Sequence, residues 1–179
     1  MQEEKFTLKN GKVVTIRRLR ATDYEAARDF IRQFSTESIF THQYPGQPDI
    51  DRKKSEELYE REDNCFIGAF ENGDRLVSIA NFRIDRPNHP WAGRNCGFGI
   101  STLEEYCSQG LGTHLMYLLE KEARAKNMHR IYGSVRALNR RAIALYLKCG
   151  FQIDGLFKET AFINGEWHDE YHISKILEK

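Results

Sequence analysis

The chain has 179 residues, 40 % of them apolar and 30 % charged, and its 27 basic and 26 acidic side chains leave a formal charge of +1. That length suits one compact domain able to bury a core and carry a cleft, so a single domain spanning 1–179 is expected. No apolar run approaches the ~20 residues of a membrane span, and the interspersed charge gives no broad electrostatic footprint for duplex nucleic acid.

The N-terminal stretch MQEEKFTLKNGK lacks a basic region followed by an apolar core, so no signal peptide and a cytoplasmic protein are expected. Residues 13–20, VVTIRRLR, form a β-branched, strand-like run, and Thr22 to Glu25 has capping-box spacing ahead of a helix to about Phe34. Pro45, Gly46 and Pro48 mark a loop, and a polar helix is predicted from about Asp51 to Arg61. CFIGAFE and LVSIANFR then flank Asn72-Gly73, the strongest short hairpin signal. After the turn-rich DRPNHPWAG, a further strand is expected near RNCGFGIS.

From Gly110 onward, Leu111, Leu115, Leu118, Leu119 and Ala123 recur at steps of three and four, which predicts a helix with one face on a core. IYGSV reads as a short buried strand. Asn139 is a favoured N-cap for RRAIALYLK, and Gly150 can close that helix in a left-handed cap. GLFKETAFI and EWHDEYHISKI flank Asn164-Gly165 as a second hairpin. The order β-α-α-β-β-β-α-β-α-β-β implies an α/β fold: a mixed sheet of six to seven strands with helices on both faces, and ligands beyond the strand ends.

The four cysteines, Cys65, Cys96, Cys107 and Cys149, show no C-x-x-C or zinc-ligand spacing and read as reduced, mostly buried thiols. His168 and His172 are four apart in a predicted strand, which sets their tips too far apart for one metal, so no metal is expected.

Chemistry concentrates at Gln109-Gly110-Leu111-Gly112-Thr113. The first N–H groups of a helix have no helical acceptor and its dipole attracts anions, while glycine removes Cβ atoms that would keep a diphosphate away. The purely structural alternative is a tight turn with close helix–strand packing. Neither GxGxxG nor GxxxxGK[ST] is matched, because position 115 is leucine and no Gly-Lys-Ser/Thr follows, so a nucleotide-binding module is disfavoured.

Together with VRALNRRAIALYLKCGF, residues 135–151, this turn resembles the GCN5-related N-acetyltransferase superfamily. The family's first signature is Gln/Arg-x-x-Gly-x-Gly/Ala. Here residues 107–112 read Cys-Ser-Gln-Gly-Leu-Gly, with both glycines in place and Cys107 where Gln or Arg stands. That substitution removes one polar diphosphate contact unless Gln109 supplies it. The second signature is intact at Val135, Asn139, Ala142, Ile143, Leu145, Tyr146, Gly150 and Phe151. The chain ends look like the branch holding ribosomal-protein, spermidine and small-amine acetyltransferases.

The resemblance implies a GNAT-like sheet, acetyl-CoA as cosubstrate and a primary amine acceptor, small molecule or peptide N-terminus, attacking directly in a ternary complex. The donor is expected on Gln109, Gly110, Leu111, Gly112, Thr113 and Asn139, with its pantetheine along Ile100 and Thr102 by strand-like pairing. Gly97 and Gly99 admit a β-bulge as the structural alternative. A strand N–H near Ile100 is expected to face the developing oxyanion, where one donor is worth ~3 kcal/mol.

By match to the tyrosine of the family's second signature, the resemblance implies that Tyr146 protonates the departing thiolate, and a phenol of pKa ~10 stays protonated at neutral pH. Its structural alternative is core packing. An acceptor amine of pKa ~10.4 must shed a proton, and the resemblance implies Glu37 as the candidate base, because the loop between the first two helices borders the amine site in this family. Glu104, Glu105, His168, Asp169, Glu170 and His172 are further titratable groups. The competing reading is a non-catalytic coenzyme A sensor of the same fold, and an exposed closing strand leaves room for a homodimer.

Overall fold

A computed structural model describes residues 1–177; the last two positions of the predicted domain lie outside the described residues. Eight strands form one sheet: β1 (Glu4–Thr7), β2 (Val13–Arg18), β3 (Asn64–Glu71), β4 (Arg75–Ile84), β5 (Asn95–Thr102), β6 (Arg130–Arg136), β7 (Gln152–Ile163) and β8 (Glu166–Ile176). Four helices accompany them: α1 (Tyr24–Glu37), α2 (Arg52–Glu60), α3 (Leu111–Ala125) and α4 (Arg140–Lys148). The sheet order is β1-β2-β3-β4-β5-β6-β8-β7, and only β5 and β6 run parallel.

The expected count of six to seven strands is corrected to eight. The added strand is β1, whose four residues EKFT bury no side chain fully and carry one large apolar group, too weak a pattern to read as a strand. Both Asn-Gly hairpins form as expected. Asn72 and Gly73 have φ of 52° and 92°, and Asn164 and Gly165 have 53° and 87°, the doubly left-handed turn whose twist matches its strands.

Helix starts follow local chemistry. The Asp51 carboxylate accepts from Lys54 N–H at 2.8 Å, and Asn139 Oδ1 accepts from Ala142 N–H at 3.1 Å. The predicted Thr22 cap does not form. Instead residues 21–23 make one 3₁₀ turn, and Asp23 accepts from Arg20 N–H at 2.8 Å and from both Arg17 Nη atoms at 2.7 and 2.8 Å. A bidentate guanidinium outweighs a hydroxyl cap, so the acid sets where α1 begins.

Helices pack on both faces. Tyr59 of α2 meets the Phe66 ring edge-on at 5.2 Å, whereas Tyr146 of α4 meets Phe98 at 5.3 Å. Phe66 pairs with Asn81 and Phe98 with Phe82, neighbours along β4 whose side chains point to opposite faces. Leu111, Leu115, Leu118, Leu119 and Ala123 of α3 are all buried, as their spacing predicts. The β4–β5 register is unbroken from Ser78↔Thr102 to Ile84↔Cys96, so Gly97 and Gly99 mark no bulge. Among the described residues, no helix is long and apolar enough to cross a membrane.

Burial alone would raise the Asp23 carboxyl, but hydrogen bonds from Arg17 and the Arg20 amide, with both charges, hold it below the usual carboxylate range. Such a group stabilises the fold above its unfolded pKa of ~3.9 and loses that contribution as pH falls through the depressed folded value. Asp23→Asn should therefore cost about 3 kcal/mol in urea unfolding at pH 7, as for breaking a buried ion pair, with the difference from wild type shrinking below about pH 4.

Candidate active site

The site begins where the sheet comes apart. β5 and β6 pair at Asn95↔Arg130, Cys96↔Ile131 and Gly97↔Tyr132, and then no further. Beyond that point β5 is bonded only to β4, and β6 only to β8. Leu103 N–H donates to Val77 O at 3.0 Å, so by ladder alternation Ser101 and Gly99 also bond toward β4. The main-chain groups of Ile100 and Thr102 consequently face the gap. Thr102 O accepts there from Cys107 Sγ at 3.6 Å.

A cleft of about 880 Å³ occupies the gap and runs to the start of α3. The first helical bond of α3 is His114 N–H to Gly110 O at 3.2 Å, which leaves the Leu111, Gly112 and Thr113 amides at the helix mouth without helical acceptors. Gly110, Gly112, Thr113, Ile100, Thr102, Asn139 and Tyr146 all line the cleft. Two expected donor-binding side chains do not. Leu111 is fully buried in the core and has only its amide at the turn. Gln109 turns toward the β1–β2 hairpin, where its Oε1 accepts from Asn10 N–H at 3.1 Å and its carbonyl from Lys9 N–H at 3.2 Å.

The glycines earn their places by backbone and packing. Gly110 has φ +91°, and a Cβ there would meet only Phe6 at 3.8 Å, so conformation alone selects glycine. At Gly112 a Cβ would stand 3.1 Å from Leu145 Cδ2, so its absence lets α3 close on α4.

Tyr146 packs its ring against Phe98 at 5.3 Å and Phe151 at 6.0 Å while lining the cleft. Burial, with a lesser push from Cys149, raises its pKa above the ordinary phenol value. The phenol thus keeps its proton across the physiological range. Cys107 also lines the cleft, and burial, against the opposing Arg141 charge, pushes its thiol up as well.

Glu37 does not line the cleft. Its Oε2 accepts from Glu104 N–H at 2.9 Å and its Oε1 from Gln33 Nε2 at 2.7 Å, fastening the end of α1 to the turn before the glycine loop. Glu104 is held bidentately by Arg141 at 2.6 and 2.7 Å, chiefly by those hydrogen bonds kept below its usual pKa. Glu105 pairs with Arg75 and Lys12, and Asp169 accepts from Glu159 N–H. His168 is buried.

Several lining residues were invisible in the sequence. The β1–β2 hairpin brings Phe6 and Lys9 to the glycine loop, with Phe6 stacked on His114 at 4.5 Å. Arg136, Arg141 and Lys148 line the cleft too, beside Glu170, which the sequence had already offered among the titratable groups. Helical spacing of Arg141 and Lys148 around Ala144 was the available signal for two of them.

A model of the acetyltransferase (GNAT) family matches residues 25–151, which covers the parted strands, the glycine turn and both flanking helices. The chain belongs to the GNAT acetyltransferase family. It is 27 % identical over 164 residues to the L-amino acid N-acetyltransferase AaaT of Escherichia coli, covering 91 % of this chain and 98 % of that one. It is 24 % identical over 154 residues to the ribosomal protein uS5-alanine N-acetyltransferase of Escherichia coli, covering 84 % and 77 %. The structure of yncA from Salmonella typhimurium with its cofactor acetyl-CoA superimposes with a TM-score of 0.79 at 19 % identity, covering 93 % of this chain and 95 % of that one.

The residues present fit such a donor. Unbonded amides face one end of the cleft, an unpaired strand edge lines its middle, and Lys9 and Lys148 line its walls outside any ion pair among the described residues. In urea unfolding, Gly110→Ala should cost about 1–2 kcal/mol through left-handed strain, and Gly112→Val about 1–3 kcal/mol through overpacking against Leu145.

Proposed function

We propose that residues 1–179 are a single-domain acetyltransferase that moves the acetyl group of acetyl-CoA to a primary amine by direct attack within a ternary complex. One observation carries this reading: pairing between β5 and β6 stops at Gly97↔Tyr132, which opens a slot through the sheet. The α3 mouth and Tyr146 line the slot, and so do Ser38, Phe40, Thr41 and His42 from the loop after α1.

Placement along the cleft supports the following roles. The Leu111, Gly112 and Thr113 amides would hold the diphosphate, and Ile100 and Thr102 would pair with the pantetheine arm as an added strand does. Asn139 spends Oδ1 on its helix cap and still borders the same wall. When bound, the cosubstrate supplies an activated thioester. Tyr146 would hold the proton for the leaving sulfur, and the strand amide near Ile100 would stabilise the oxygen that gains charge. The two curated relatives are named for acceptors, an amino acid and a protein alanine, that share a primary amine.

The test is release of free coenzyme A thiol across a panel of amino acids, peptides with free N-termini, polyamines and simple alkylamines. Turnover with one class supports the reading; a folded protein that binds coenzyme A and acetylates none of them favours the sensor. Tyr146→Phe should lower kcat by about 10²- to 10⁴-fold, the range for a positioned acid, with coenzyme A affinity unchanged in calorimetry.

A further inference from the structure

The transfer described above needs an acceptor for the ammonium proton, and Glu37 is engaged elsewhere. Among the described residues that line the cleft, Glu170 is the one carboxylate. Its face is fixed by the pairing: Phe66, Asn81 and Gly99 share a face, Gly97 follows by alternation, and Gly97 pairs with Tyr132. Two and four residues on, Ser134 and Arg136 lie on that face, and Glu170 pairs with Arg136. Glu170 therefore stands on the α2 side of the slot, opposite the face that carries Tyr146 and the α3 mouth.

Its surroundings look built for a task other than stability. Arg136 Nη1 lies 2.7 Å from Glu170 Oε1 and 3.3 Å from Thr160 Oγ1, both charged side chains are largely buried, and Arg136 Nε has no hydrogen-bond partner. A buried ion pair with an unsatisfied nitrogen is poor value to a fold, since apolar residues of equal volume often serve as well or better. The pair does hold one carboxylate in a fixed orientation at the wall of the cleft. His42, which also lines the cleft, is exposed on its loop.

We propose that Glu170 receives the acceptor's ammonium group and takes its proton, with Arg136 as the positioning residue that aims the carboxylate. This rests on the acetyl-transfer reading. The ammonium gives one proton to Glu170, and the freed lone pair forms the C–N bond at the thioester carbonyl. The C–S bond then breaks with its electron pair on sulfur. The thiolate takes the Tyr146 proton, the second nitrogen proton passes by way of solvent to the Tyr146 phenolate, and Glu170 returns its own proton to solvent. The sum is amide, free thiol and one released proton.

The experiment compares a basic alkylamine with aniline, which is already neutral at pH 7, in wild type, Glu170→Gln and Glu170→Asp. Glu170→Gln should lose at least about 100-fold in kcat/KM for the alkylamine and less than about threefold for aniline, with coenzyme A affinity kept. Glu170→Asp preserves the charge beside Arg136 while withdrawing the carboxylate by one methylene, so it should fold as wild type and fall between the two. Equal losses with both amines, or no loss with either, overturn the assignment while the transferase reading stands. Wild-type protein that binds coenzyme A yet acetylates neither amine nor any of the earlier panel overturns both.

Discussion

Everything in this molecule turns on the point where two parallel strands stop being neighbours. Three residue pairs join β5 to β6, and just past the last of them the Phe98 ring lies over Gly133, 2.9 Å from where a Cβ at that glycine would stand. Phe98 in turn packs with Phe151 at 5.0 Å and with Tyr146 at 5.3 Å. An aromatic cluster thus fills the apex of the gap on one face, and the hydroxyl-bearing ring assigned to the chemistry is part of the same cluster. Backbone groups left without a strand partner are costly when buried, so an unpaired edge persists where a ligand or water can satisfy it. The parting of the strands and the placing of Tyr146 are one packing event.

The glycine turn shows how a motif can be right in place and serve a different local need. A bare backbone was expected so that a diphosphate could approach. In the fold, Gly110 is required by its left-handed φ, and Gly112 by the closeness of Leu145. Both still border the cleft, and the amides of the first turn still lack helical acceptors. Close packing of α3 on α4 and an open helix mouth are compatible because the missing Cβ of Gly112 points to the core and its amide does not.

What was legible in the sequence was whatever local chemistry dictates. The two Asn-Gly turns, the three-and-four spacing of the α3 leucines, the Asn139 cap and the left-handed Gly150 all follow from propensity and pattern, and all appear. What stayed hidden depends on distant partners. Residues 4–7 form a strand because β2 offers them an edge, Gln109 is claimed by Asn10 from 99 positions away, and Glu37 is claimed by Glu104 from 67 positions away. Thr22 lost its capping role to an acid whose guanidinium partner sits six residues upstream. No local window contains these competitions, so the family resemblance could nominate Ile100, Thr102 and Tyr146 but could not separate Glu37 from Glu170.

Charge teaches the same point at the scale of the whole chain. A formal charge of +1 from 27 basic and 26 acidic groups says nothing about partners, yet the cleft gathers several of those charges at one place. Lys9, Lys148 and Arg141 stand at its walls, Arg141 is neutralised by Glu104, and Glu170, the one carboxylate among the described lining residues, is paired with Arg136 across the sheet. At physiological salt, exposed charges are screened beyond ~8 Å, but within a partly desolvated cleft each group acts mainly on what sits next to it. A protein that carries almost no net charge can therefore still set Lys9 and Lys148 outside any ion pair among the described residues, and Glu170 within one, at the wall of a single cleft.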